Sequence, residues 1–205
     1  MTIDHRHHGE LGDVVHGLRL RVGRRVTRRD SRFWIGVFAL CNGGLSTALM
    51  ALGARVTGEP LVFPSLGPTA FMLFYQPTSP AASPRNTLLG HLIGIGAGYL
   101  SLRVFGLAHA TPALTGGVTW AWIGSASLSL ALTAGFMIWL AVPHPPAGAT
   151  TLIVSLGILP RPLQLVALFA AIMLLVVQGL AINRLAGVPY PWWAPRSHTE
   201  PHEKH

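Results

Sequence analysis

The chain has 205 residues, a net charge of +8 and a mean hydropathy of +0.47, and 11% of its residues are charged. Because a soluble domain carries about 25% charged residues, this composition excludes an ordinary soluble globular protein. The charged residues between positions 33 and 182 are Arg55, Glu59, Arg85, Arg103 and Arg161. They leave uncharged runs of about 20 residues, the length that crosses a bilayer, so the composition predicts an integral membrane protein.

The first 31 residues are predicted to lie outside the membrane. Residues 1–9 are polar and predicted to be disordered. In residues 10–31, apolar side chains recur at helical spacing among many arginines, which predicts a basic amphipathic helix on the cytoplasmic membrane surface. A loosely ordered basic arm is the alternative. Basic clusters also bind nucleic acid, but arginines flanking a first apolar run indicate a cytoplasmic N-terminus, so no nucleic-acid partner is expected.

Four spanning helices are predicted in the hydrophobic region, over residues 33–54, 87–107, 118–142 and 163–182. The fold class is therefore an all-α polytopic bundle, with a transmembrane domain at 32–183 and a polar tail at 184–205. An even number of crossings places both termini in the cytoplasm, and the expected location is the inner membrane. Small residues along the helices suit close contacts in lipid, so a homo-oligomer is one hypothesis.

Two short apolar segments are interrupted by prolines, VFPSLGPTAFMLFYQP at 62–77 and AVPHPPAGATT at 141–151. Lipid cannot satisfy irregular backbone, so both should face the protein interior. Each follows a long helix and precedes a loop ending in Pro-Arg, which predicts an internal repeat of two halves. Paired segments of this kind indicate a transporter binding site, although two unrelated Pro-rich loops are the alternative. If the segments dip and return, the chain crosses four times; if they cross, it crosses six times with inverted halves.

Each broken segment is predicted to contain a half-helix whose free N–H groups and dipole point to the centre and favour an anion. Neither motif has a nearby Asp or Glu for a cation. His144 can donate a hydrogen bond or carry a proton; alternatively, its ring bonds a backbone carbonyl freed by the prolines. Arg85, Asn86 and His91 could guide anions, although arginine at a helix end is more often an interface anchor.

These motifs together resemble the HPP family of integral membrane proteins. The resemblance rests on His144-Pro145-Pro146 with AGAT at 147–150, FPSLGPTA at 63–70, SPRN at 83–86 and GHLIG at 90–94. It implies four membrane helices and solute transport, with nitrite as a candidate because plastid and cyanobacterial relatives are linked to nitrite. The motif residues carried over are Pro64, Ser65, Gly67, Pro68, Thr69, Arg85, Asn86, His91, His144, Pro145, Pro146 and Gly148.

The sequence therefore predicts a permease, either transporter or channel, for a small inorganic anion, with nitrite the leading candidate. The predicted substrate-binding residues are His144, Pro145, Pro146, Gly148, Thr150, Pro64, Ser65, Gly67, Thr69, Arg85, Asn86 and His91. No catalytic residue, cofactor or metal ligand is expected, because no carboxylate or thiol accompanies the two histidines. The alternatives are an oligomeric membrane scaffold and a metal-binding membrane protein without transport activity.

Overall fold

A computed structural model describes residues 31–58 and 62–195, and its regular structure there is helical. The helices are α1 (Ser31–Thr57), α2 (Leu66–Tyr75), α3 (Pro84–Val104), α4 (Ala113–Gly116), α5 (Trp120–Trp139), α6 (Ala147–Ser155) and α7 (Pro162–Leu185), with a 3-10 turn at Pro80–Ala82. The all-α prediction is confirmed for these residues. The predicted amphipathic helix and the disordered N-terminus, residues 1–30, lie outside the described residues, as does the tail from position 196.

The helices α1, α3, α5 and α7 are long and apolar enough to cross a membrane, so the four predicted spans are confirmed. Their ends differ from the predicted ends by a few residues. Helix α3 begins earlier, at Pro84, because the Ser83 hydroxyl accepts a hydrogen bond from the Asn86 N–H and proline suits a first helical turn. Helix α5 ends earlier, at Trp139, and the chain turns at Ala141, where φ is +51°.

The first broken segment runs from the middle of the bundle to the end that holds the beginning of α1, called here the proximal end. Its start lines a cavity with Thr47 and Met50, in the second half of α1. Near its other end, the rings of Phe74 and Phe38 lie 6.2 Å apart. Asn183, near the end of α7, donates a hydrogen bond to the carbonyl of Leu73 at 3.0 Å. Helix α2 therefore finishes at the proximal end.

The second broken segment runs from the middle of the bundle to the opposite, distal end. The Ser125 hydroxyl, in the second turn of α5, donates to the carbonyl of Ser155, the last residue of α6, at 2.9 Å. The N–H of Ala113, in the connection after α3, donates to the carbonyl of Leu156 at 3.1 Å. Helices α2 and α6 finish at opposite ends, so after each broken segment the chain has reached the other end of the bundle. The two halves of the bundle are inverted relative to each other.

Helix α3 packs against the second broken segment through a stripe of three glycines. A methyl group on Gly90 would lie 2.7 Å from Cβ of His144, and one on Gly94 would lie 2.9 Å from the Ala147 carbonyl oxygen. One on Gly98 would lie 2.8 Å from the carbonyl oxygen of Thr151. A fourth glycine, Gly96, has no such neighbour. The stripe lets the backbone of α6 approach α3 more closely than any other residue would allow.

The chain after α7 packs back onto the proximal end. Tyr190 is fully buried, and its hydroxyl donates a 2.6 Å hydrogen bond to the carbonyl of Ala82. Burial raises the pKa of Tyr190, which keeps this donor protonated. The guanidinium of Arg184 lies 3.8 Å from the ring centroid of Trp192. Arg184 and Tyr190, which lie in the region predicted as a polar tail, therefore both contact other parts of the structure.

Candidate functional site

The two half-helices meet at a single histidine of α3. Thr69 and Thr150 are each the fourth residue of their half-helix, α2 and α6. The hydroxyl of Thr69 lies 3.0 Å from Nε2 of His91, and the hydroxyl of Thr150 lies 2.8 Å from Nδ1. All three side chains are completely buried. His91 therefore joins the two inverted halves at one point.

The hydrogen-bond pattern determines which ring nitrogen of His91 carries a proton. Thr69 donates its one hydroxyl hydrogen to the carbonyl of Ser65 at 3.0 Å, a common bond for threonine within a helix. It must then accept a hydrogen bond from Nε2–H of His91. In the neutral ring Nδ1 then accepts from the Thr150 hydroxyl, and both ring nitrogens are satisfied.

A second buried histidine lies against the first. The ring centroids of His91 and His144 are 4.8 Å apart, and these two side chains are called here the histidine pair. Nδ1 of His144 donates to the carbonyl of Ala81 at 2.7 Å. A hydrogen bond to a backbone carbonyl was the alternative role that the sequence offered for this histidine. Its Nε2 is buried and has no hydrogen-bond partner. His144 thus presents an open acceptor beside His91.

The loop of residues 79–83, called here the proximal loop, covers the histidine pair on one side. Three successive carbonyls of this loop each accept a side-chain hydrogen bond from a different element. Asn86 of α3 bonds Pro80 at 3.0 Å, His144 bonds Ala81, and Tyr190 bonds Ala82. The loop is therefore held in place by the candidate site itself and by the chain after α7.

A cavity of about 320 Å³ lies beside the beginning of α2. Its lining is mostly apolar: Thr47, Met50, Val62, Phe63, Pro64, Leu66, Gly67, Ala70 and Leu175. Gly67 is only two positions before Thr69, and a methyl group at Gly67 would meet no atom within 4 Å. The cavity therefore reaches within one helical turn of the threonine that holds His91.

A further pair of threonines lies beside the site on α5 and α6. The hydroxyls of Thr133 and Thr151 are 2.9 Å apart, and Thr151 also contacts the carbonyl of Ala147 at 3.0 Å. Thr87 approaches Nδ1 of His144 at 3.5 Å. Sequence reasoning did not single out Thr87 or Thr133. Both stand in long uniform spanning helices, where nothing in the motifs marks a polar residue as inward-facing.

The expectation of free N–H groups at the start of α6 is wrong. The N–H groups of Ala147, Gly148 and Ala149 donate to the carbonyls three residues earlier, at 3.0–3.1 Å. The prolines fold the chain into a tight turn that supplies these acceptors. In this conformation an anion would have to be bound by side chains, or these turn bonds would have to break.

The structure brings only some of the predicted residues together. Thr69, His91, His144 and Thr150 converge. Ser65 is buried and its hydroxyl has no partner, while Asn86 holds the proximal loop. The remaining predicted residues show no hydrogen bond to the histidine pair. Pro64 and Gly67 line the cavity, and Pro145, Pro146 and Gly148 form the turn into α6. The backbone N–H of Arg85 donates to the carbonyl of Trp193.

Within 31–58 and 62–195 no group of three metal-ligating side chains forms.

Comparisons with known proteins identify the family. The model of the HPP transmembrane region matches residues 26–191. A transmembrane protein of Dictyostelium discoideum is 26% identical over 136 residues, which is 63% of this chain and 44% of that relative, so the chain spans less than half of the relative's length. No solved structure matches the chain. The inverted bundle, with its His-Pro-Pro turn packed on a glycine-lined helix, is thus the membrane domain of a protein that belongs to the HPP family.

Proposed function

We propose that this membrane protein is a permease for a small inorganic anion, with nitrite the leading candidate, and that the histidine pair is its substrate site. The observation that carries the proposal is the meeting of two oppositely directed half-helices on His91, beside the open Nε2 of His144. Discontinuous helices that meet between inverted repeats are the architecture of many transporter binding sites. A packing role alone would not require a buried acceptor without a partner.

The arrangement around the pair supports alternating access. The proximal loop covers His144, and a short stretch of α2 separates the cavity from His91. Both histidines are fully buried, so the site is closed in this conformation. Opening the proximal loop requires breaking the bond of His144 to Ala81, so substrate binding at His144 and access from the proximal end would be coupled. This coupling favours a transporter over a channel.

Orientation and assembly complete the proposal. The arginines before α1 and an even number of crossings support an orientation with the proximal end and both termini in the cytoplasm, and a location in the inner membrane. Helix α1 has the smallest buried share of the four long helices, 11% of its most apolar window, so it is the surface through which a homo-oligomer would form. Cross-linking of the purified protein in lipid would show a dimer band or exclude one.

The experiment that tests the proposal is anion uptake into proteoliposomes that contain the purified protein. Nitrite, nitrate, formate and chloride are compared, and a Gly67→Leu variant is measured beside Gly96→Leu. At both positions the new Cβ would meet no atom within 4 Å, but Gly67 lines the cavity and Gly96 does not. We expect uptake of one of the four anions. Gly67→Leu should reduce this uptake, and Gly96→Leu should not. No uptake of any of the four anions by folded protein would favour the scaffold alternative.

A further inference from the structure

Within residues 31–58 and 62–195, the histidine pair comprises the only buried side chains that can take up a proton. That part of the chain contains no Asp, Glu or Lys. Its arginines are exposed or partly exposed and lie at or near the ends of helices: Arg32, Arg55, Arg85, Arg103, Arg161 and Arg184. His109 is exposed. A bare anion at the pair would therefore meet no fixed positive charge, and burying an unpaired charge is strongly unfavourable.

The two histidines differ in what they can accept. Both ring nitrogens of His91 are already bonded to threonine hydroxyls. His144 uses Nδ1 for the carbonyl of Ala81 and keeps Nε2 open. A proton that enters the pair is therefore accommodated at Nε2 of His144 without breaking an existing hydrogen bond. It converts the open acceptor into a charged donor for an anion.

In the part of the chain that the structure describes, no titratable side chain other than His91 is seen to contact His144. From α3 it is faced by His91 and by the Thr87 hydroxyl, and from the proximal loop by a backbone carbonyl. Helices α5 and α6, which pack against α3 and against each other, contain no titratable side chain. Whether Nε2 of His144 is protonated therefore depends on His91 and on the anion that occupies the site.

We infer that each anion is carried together with one proton, which resides on Nε2 of His144 while the anion is bound, so that transport is electroneutral. This inference rests on the proposed function. The proton and the anion enter from the same side, form an ion pair at the histidine, and leave together on the other side, which returns His144 to its neutral form. One anion and one proton cross in each cycle.

The cavity beside α2 is consistent with a neutral pair. Among residues 31–58 and 62–195, those that line it carry no charge and are mostly aliphatic, with the Thr47 hydroxyl as one polar group. A free anion gains little from such a surface compared with water. A proton and an anion that travel together avoid most of that penalty, because the pair has no net charge.

The test measures proton and nitrite uptake together in proteoliposomes that contain the wild-type protein and an internal pH dye. Potassium and valinomycin set the membrane potential, and protein-free liposomes measure diffusion of the undissociated acid. We expect one proton for each nitrite and the same initial rate at inside-negative and inside-positive potentials. Nitrite uptake that changes with potential and carries no proton would overturn the inference while leaving the proposed permease intact. Absence of all uptake would instead contradict the proposed function.

A His144→Asn variant tests which residue holds the proton. The asparagine amide nitrogen takes the place of Nδ1 and can still donate to the Ala81 carbonyl, but it offers no acceptor that titrates. We expect its proton-coupled uptake to fall by at least about tenfold, since a charge-assisted hydrogen bond is lost. The exposed Thr115→Val variant should keep the wild-type rate. Proton-coupled uptake by folded His144→Asn at the wild-type rate would show that His144 does not carry the proton.

Discussion

At the scale of the residue, His91 connects the two halves of the molecule. Thr69 and Thr150 occupy the same position in two half-helices that run in opposite directions, and each bonds one nitrogen of the same ring. The geometry needs a side chain with a donor and an acceptor on opposite edges, which a neutral imidazole supplies. The neighbouring His144 has one such bond and one open nitrogen. One histidine is therefore suited to hold the half-helices and the other to bind substrate.

This division of roles predicts the cost of removing a threonine hydroxyl. Thr69→Val and Thr150→Val keep the side-chain shape but each leaves one nitrogen of His91 buried and unpaired. We expect each to lower the free energy of unfolding in detergent by about 1–2 kcal/mol. Thr115→Val, whose hydroxyl is exposed, is the matched control. If all three variants unfold alike, His91 does not join the halves in the way described.

The sequence was informative about several residues that converge in the structure, but not about the hydrogen bonds that each one makes. Proline and glycine in otherwise apolar segments led to Thr69, Thr150 and His144, because buried polar groups in lipid require partners. The N–H groups at the start of α6 were assigned wrongly, since a tight turn and a free helix end have the same composition. Tyr190 was missed because a tyrosine near a chain end usually marks the membrane interface rather than a buried contact.

At the scale of the element, the contact between α3 and α6 determines where the site lies. Gly90, Gly94 and Gly98 recur every fourth residue and therefore face one side of α3. They bring the backbone of the second half-helix against α3, and this places Thr150 within reach of His91. The glycine-rich character of this helix predicted close packing correctly. Only the structure distinguishes the three contact glycines from Gly96.

Two alanine substitutions on this helix should have opposite effects. In Gly94→Ala the new methyl group would lie 2.8 Å from the Thr151 hydroxyl and 2.9 Å from a backbone oxygen, so α6 must shift. We expect a loss of about 1–3 kcal/mol in the free energy of unfolding. In Gly96→Ala the new methyl group would meet no atom within 4 Å. This variant should have unchanged stability or gain a few tenths to about 1 kcal/mol, because glycine weakens a helix. Thermal unfolding of both variants in the same detergent is the measurement, and equal stabilities would contradict the packing described.

At the scale of the whole molecule, the choice between four and six crossings depends on where the broken segments end. The sequence left this open, because a segment that dips and one that crosses have the same length and hydropathy. The contacts of Leu73 with Asn183 and of Ser155 with Ser125 place the two ends on opposite sides. The predicted repeat is thus present as two inverted halves that meet at the histidine pair.

The six-crossing arrangement predicts which side of the membrane the loop after α2 faces. In a Cys41→Ser background, a cysteine introduced at the exposed Thr78 should react with a membrane-impermeant thiol reagent from the same side as an N-terminal tag. The reason is that α1 and the first broken segment together cross the membrane twice. Labelling from the side opposite to the tag would mean that the segment dips and returns, and would contradict the inverted arrangement.

The most direct measurement of the central claim is nitrite uptake into proteoliposomes by the wild-type protein, beside His144→Asn and protein-free liposomes. Size-exclusion profiles and thermal unfolding establish that the two proteins are equally folded. Our account predicts uptake well above the protein-free rate for the wild type and a rate close to it for the variant. Uptake of nitrite by both proteins at the same rate would show that His144 is not part of the substrate site.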